Sequence, residues 1–151
     1  MATDDIKKEA LAFLREHKTM VLSTVSSDGK PHSATVYFLV DDDFTFHCVS
    51  YRDSEKAKDI EKNGAVAITV GFGPEPITIQ AKGIAEPLTD GLYLKILAKI
   101  GFEHIDQFPI FRIGSGGFVA FTIKPIELKW LNLDKKGHPR GYHQGFHHII
   151  P

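Results

Sequence analysis

Phe44–Ile60, FTFHCVSYRDSEKAKDI, changes period halfway along. Phe44, Phe46 and Cys48 alternate with Thr45, His47 and Val49, which is the two-residue period of a strand. From Ser54 to Asn63 the spacing becomes helical, with Ala57 and Ile60 set among charges and Asn63-Gly64 supplying the stop. A strand that runs through a short loop directly into a helix start is the geometry that receives an anion. The first amide hydrogens of a helix lack intrahelical partners and the dipole there is positive, so Ser54 could add a hydroxyl and Lys56 a cation around a phosphate. The plainer reading makes Ser54 or Asp53 an N-cap and Lys56 a solvated charge.

Upstream, Ile6, Ala10, Leu11, Phe13 and Leu14 recur at helical spacing after Thr3 or Asp4, either of which caps a first turn. The β-branched run Thr19–Val25, the turn residues Ser26-Ser27-Asp28-Gly29 and the extended run Ser33–Val40 predict a hairpin. Asp41-Asp42-Asp43 then leads into the strand at Phe44, making three antiparallel strands in a meander. Downstream, Ala65–Gly71 and Ile77–Ala85 are strand-like, separated by Gly73-Pro74-Glu75-Pro76. Leu92, Ile96, Leu97 and Ile100 mark a further amphipathic helix ending at Gly101. After a loop with Gly114, Gly116 and Gly117, Phe118–Ile123 and Ile126–Leu131 are two strands around Lys124-Pro125, followed by a polar, histidine-rich tail. Six or seven antiparallel strands joined by tight turns, with short helices between, predict a mainly β Greek-key barrel occupying residues 1–131, with a tail over 132–151.

Composition narrows the function. A chain of 151 residues with 42% hydrophobic and 25% charged residues is long enough for one folded core and too apolar for disorder. Eighteen Lys and Arg against nineteen Asp and Glu give a formal charge of -1, so no basic field draws nucleic acid. The single cysteine, Cys48, has no partner for an internal disulfide, the amino terminus lacks the order of a secretory signal, and no apolar run is long enough to span a membrane. A cytoplasmic protein without membrane or nucleic-acid partners is the expectation. The serine-hydrolase elbow, the P-loop and the dinucleotide fingerprint are all absent.

The stretch DGKPHSATVYFLVDDDFTFHCVSYRDSEKAKDIEKNGAVAITV, Asp28–Val70, followed by ITIQAKGIAEPL, Ile77–Leu88, resembles the pyridoxamine 5'-phosphate oxidase-like FMN-binding split barrels. The resemblance covers nearly the whole chain, from the opening helix to Leu131, and is one of pattern rather than of a single motif. It implies a homodimer with FMN at the subunit interface. The family's FMN-binding positions fall here on Thr35 and Val36, on His47 and Cys48, and on Ser54 with Lys56. A later strand would bring Thr78, with Gln80 on the same side, near the flavin ring, and the backbone groups of Val36 and Cys48 would reach its hydrogen-bonding edge. Trp130 is a further candidate, stacking on the ring or packing at a barrel rim.

This chain has Ala34 and Leu39 where the oxidase has an arginine and a lysine, and Glu55 where it has an arginine beside the lysine. Oxidation of pyridoxamine phosphate itself is therefore not expected. The implied activity is a flavin-dependent oxidoreduction of a small molecule, with the redox step carried by the cofactor and no catalytic side chain assigned. Tyr37, Phe38, Phe44 and Phe46 are read as core, and Cys48 as a small buried hydrophobe occupying a position rather than reacting. No metal site is assigned. The alternative is a haem-binding or flavin-storing protein without turnover that uses His138, His143, His147 and His148; a deazaflavin-binding reductase ranks behind both.

Overall fold

The computed structural model describes residues 3–88, 96, 99, 117–133 and 145–151. Helix α1, Asp4–Glu16, starts at Thr3, whose hydroxyl oxygen accepts the Ile6 amide at 3.3 Å, and carries Asp4 and Asp5 in its first turn, where the helix dipole favours them. It buries Ala10, Phe13 and Leu14. Strands β1, Thr19–Val25, and β2, Pro31–Val40, form the expected hairpin, closed by Ser26 and Lys30 backbone bonding with Gly29 in the left-handed region at φ 81°. Strand β3, Phe46–Tyr51, follows, then α2, Glu55–Lys62, β4, Ala65–Gly71, β5, Ile77–Pro87, β6, Phe118–Asn132, and β7, His147–Ile150.

Neighbouring strands run β3-β2-β1-β4-β5-β6, and β6 pairs back onto β3, so six antiparallel strands close into a barrel. Closure pairs β3 with β6 and so covers edges that an open sheet would expose. Side chains of alternating parity, among them Met20, Leu22, Phe38, Phe46, Ile68 and Phe121, fill the interior. Helix α1 covers one part of this core, with Phe13 edge-on to Trp130 at 5.1 Å between centroids. Gly71 lies beside that contact at φ 87°, and a Cβ there would stand 2.5 Å from both the Ile77 carbonyl oxygen and Phe13 Cζ. Gly71→Ala is therefore expected to destabilise the protein by about 1–3 kcal/mol from backbone strain, with the clash adding to it, readable as a lower midpoint in urea denaturation.

Three expectations are corrected. Phe44 is not in β3: it sits in the β2–β3 turn at φ 66°, its amide donating to Asp41 O, and β3 is buried on both faces rather than alternating. An outer layer of residues covers the solvent face that alternation assumes. Phe118–Leu131 is one strand, not two. Its proline is absorbed by a bulge, since Lys82 pairs Glu127 and Gly83 pairs Pro125, leaving Ile126 unmatched and 59% exposed. The end of the tail is also structured: β7 pairs with the second half of β6, along the edge whose first half holds β3, and it buries Ile149. The helix expected at Leu92–Ile100 lies outside the described residues except for Ile96 and Lys99, both helical. Among the described residues no helix is long and apolar enough to cross a membrane.

Candidate functional site

Among the described residues, the barrel wall opens between β2 and β3. β2 pairs β3 only over Phe38–Val40, whereas β3 from Val49 to Tyr51 pairs β6 alone. Between Pro31–Val36 on one side and Val49–Tyr51 on the other there is a split. Which backbone groups face it follows from alternation. The Phe38 amide donates to Lys18 O, on the β1 side. Val36 shares that direction, while the backbone groups of Ser33 and Thr35 point toward the split. On β3, His47 is turned toward its partner Leu39 and Cys48 toward β6, so the next residue whose backbone faces the split is Val49. Thr35 and Val49 thus present main-chain groups there, each one residue from the Val36 and Cys48 groups expected from sequence. Sequence patterning fixes faces only to within such a one-residue slip.

Helix α2 begins beside this split. Its start is built by serine chemistry: Ser54 O–H donates to Tyr51 O at 2.8 Å, and Ser54 Oγ accepts the Ala57 amide at 3.3 Å and the Ser50 hydroxyl at 2.8 Å. With its one hydrogen already donated, Ser54 is a cap and an organiser of the turn. Ser50, 7% exposed, is a residue that sequence reasoning did not single out; only its spacing of four from the cap could have signalled it. Ser54→Ala is expected to lower stability by about 1 kcal/mol, measured by urea denaturation, through loss of the cap.

The amides of Glu55 and Lys56 have no acceptor among the described residues, as first-turn amides do not. Lys56 is half-buried and makes no ion pair among the described residues. Desolvation pulls its ammonium below the ordinary lysine range, with the nearby Cys48 sulfur acting in the opposite sense. A poorly solvated cation next to two free amides is an arrangement that an incoming phosphate would complete. Cys48 itself lies in the core, where burial pushes its thiol up to about 12, so it remains protonated and unreactive at neutral pH.

Two cavities flank α2. One of about 400 Å³ is lined by Arg52, Ala57, Glu61, Leu88 and Phe121. The other, of about 420 Å³, lies against the β1–β2 turn and is lined by Lys30, His32, Glu55, Lys58 and Asp59. Outside the split, Val49, Ala120 and Ile96 are buried together, with Tyr37, Leu39 and Phe118 packed against them as a second apolar cluster. His47 is buried at the opposite end of β3, its ring held by Asp41 Oδ2 at 2.8 Å and Thr122 Oγ1 at 3.1 Å.

The remaining candidates lie elsewhere. Tyr51, just before the α2 turn, pairs Phe118 at the start of β6, whereas Thr78 pairs Leu131 and Gln80 pairs Lys129 near its end. From Phe118 to Lys129 is on the order of 30 Å along an extended strand. Within this chain, Thr78 and Gln80 do not join the α2 corner. Thr78 is 2% exposed with its hydroxyl donating to Val70 O, while Gln80 stands half-buried on the outer face beside a shallow groove with Lys82 and Lys129. Trp130 is 3% exposed and belongs to the core. Of the tail histidines, His147 and His148 are exposed on β7; His138 and His143 lie outside the described residues.

Comparison with known proteins fits this architecture. A family model described as pyridoxamine 5'-phosphate oxidase matches residues 6–129. General stress protein 26 of Bacillus subtilis (strain 168) is 37% identical over 75 residues, which span 50% of this chain and 52% of that protein. The chain thus matches about half the length of that curated relative. The crystal structure of General Stress Protein 26 from Bacillus anthracis str. Sterne superposes with a TM-score of 0.65 at 27% identity, covering 83% of this chain and 92% of that one. HutZ, the heme storage protein from Vibrio cholerae, shares the fold with a TM-score of 0.64 at 19% identity, over 83% and 91% of the two chains.

Proposed function

We propose, from the premise that this chain belongs to the pyridoxamine 5'-phosphate oxidase family, that it binds FMN with the phosphate at the start of α2 and acts as a flavin-dependent oxidoreductase on a small molecule. The observation that carries this reading is Lys56: a half-buried ammonium without an ion pair among the described residues, beside the free amides of Glu55 and Lys56 and the open edge between β2 and β3. The main-chain groups of Thr35 and Val49 would meet the cofactor along the split, and the apolar cluster of Tyr37, Leu39 and Phe118 would exclude water from it. When bound, FMN supplies the hydride or electron transfer; the residues of this chain bind, orient and shield it.

The α2 corner and Gln80 lie too far apart in one protomer to border one flavin. A homodimer resolves this: the partner's outer β4–β5 surface would bring Gln80 to the cofactor held by Lys56. Purification without added cofactor, followed by an absorbance scan and sedimentation equilibrium, tests both elements. Paired flavin bands on a species of twice the chain mass support the reading, and a colourless protein that takes up no FMN on titration overturns it.

The second reading, haem binding without turnover, draws on the exposed pair His147 and His148 and on the fold shared with HutZ. Because β7 buries Ile149 against the barrel, removing the tail would uncover core. The double substitution His147→Ala, His148→Ala is the cleaner test: loss of a Soret band on haem titration favours this reading, and an unchanged titration removes these residues from it.

A further inference from the structure

An acid, Glu55, stands beside Lys56 at the start of α2, and the structure couples that acid to a histidine. Glu55, the first residue of α2 and the neighbour of Lys56, has its carboxylate 3.3 Å from His32 Nε2, across the gap to β2. His32 is about one-third exposed, and its Nδ1 is buried with no hydrogen-bond partner among the described residues. A carboxylate at a helix start is favoured by the dipole, yet at this position it would repel a phosphate seated on the same amides.

We propose that His32 is a positioning residue for the cofactor phosphate, holding the Glu55 carboxylate to the β2 side of α2 and neutralising it when the imidazole is protonated. The proposal rests on the FMN reading above. The contact needs only one ring nitrogen. Nε2 already faces the Glu55 carboxylate at 3.3 Å, so protonation of the ring converts this contact into an ion pair. The phosphate then meets a local charge raised by one unit. Affinity for a phosphate-bearing flavin should therefore rise as pH falls through the range in which histidines titrate.

The other charged groups facing this pair are accounted for. On the β1–β2 turn, Asp28 and Lys30 pair with each other at 3.4 Å. On α2, Asp59 accepts the Thr24 hydroxyl at 2.7 Å and Lys58 is exposed; both line the same cavity as His32. Asp28 is held below the ordinary carboxylate range by its Ser26 and Lys30 hydrogen bonds, so it stays charged throughout the window of interest. His32 is the one histidine among the residues lining that cavity, and histidine is the side-chain type whose charge changes near neutral pH.

The test is a fluorescence titration of FMN, with riboflavin as the phosphate-free probe, from pH 5.5 to 8.5 on the full chain, His32→Gln and Glu55→Gln. The phosphate gains charge over the same range, an effect common to all three proteins that cancels in their ratios. The expected result is a ratio of FMN affinities, wild type to His32→Gln, that falls by about three- to tenfold between the acid and alkaline limits. Glu55→Gln should bind FMN more tightly than wild type at alkaline pH while keeping the dependence that His32 supplies, and riboflavin should show no such differences. Identical profiles in all three proteins, with FMN bound, overturn the role of His32 alone. Absence of FMN binding at every pH overturns the FMN reading and this proposal with it.

Discussion

Lys56→Ala is expected to weaken FMN binding by roughly 10- to 100-fold while the protein stays folded. A hydrogen bond to a charged group in a partly desolvated setting is worth about 1.5–3 kcal/mol, and each 1.4 kcal/mol is a factor of ten in affinity. Ala34, Leu39 and Glu55 stand where the family resemblance implies further cations, so Lys56 carries a larger share of the interaction. Stability should move the other way. The Lys56 ammonium is depressed by burial, so below that depressed range the folded state carries a charge that the unfolded state solvates better. The unfolded chain binds more protons between the folded and the ordinary lysine pKa, so this contribution to stability rises with pH across that window. Removing the amine relieves the cost at neutral pH. A ligand-free Lys56→Ala protein that unfolds at slightly higher urea than wild type, yet binds FMN poorly, separates a site built for a ligand from a merely solvated lysine.

Phe46→Ala should have the largest effect on folding, a loss of about 3–5 kcal/mol out of a total near 5–15. Phe46 is 0% exposed, lies 5.7 Å from Phe38 between ring centroids, and opens the strand that pairs with both β2 and β6. Its loss leaves a cavity where the barrel closes, so the wall beside the split loosens together with the core. The urea midpoint should fall with little change in slope. Phe72→Ala, at a residue 56% exposed on the β4–β5 turn, is the control and should stay within about 0.5 kcal/mol of wild type.

Much of this was legible in the chain because local chemistry announces itself. Ser54 and Asn63 bound α2 as capping residues should, and the hairpin turn at Ser26–Gly29 carries its own glycine. What local patterning did not show was set by tertiary contacts. Alternation at Phe44–Val49 suggested a half-exposed strand, yet residues from β2, β6 and the segment at Ile96 cover its outer face. Pro125 looked like a strand break, but the bulge opposite Gly83 needs no amide from it: a Cβ at Gly83 would stand 2.7 Å from Lys124 O, so the glycine permits the close approach. The polar tail concealed β7 because four residues give too little pattern to read, even with Ile149 among them.

The resemblance pointed to the corner where α2 begins beside the split, and the structure shows how its residues are disposed there. Ser54 serves the helix, Val36 and Cys48 turn inward, and Thr35, Val49 and Lys56 face the opening or stand beside it. The Glu55 departure from the family pattern was visible as a single letter. Its coupling to His32 was not, because the two are 23 positions apart and meet only when α2 folds back beside β2.

The most direct measurement is an equilibrium comparison of FMN with riboflavin on wild type and Lys56→Ala, since the two flavins differ only in the phosphate. Tighter binding of FMN than of riboflavin by about tenfold or more in wild type, erased in Lys56→Ala, is the result expected if the start of α2 holds the phosphate. Equal affinity for the two flavins in wild type, or an FMN preference that survives the substitution, would contradict it.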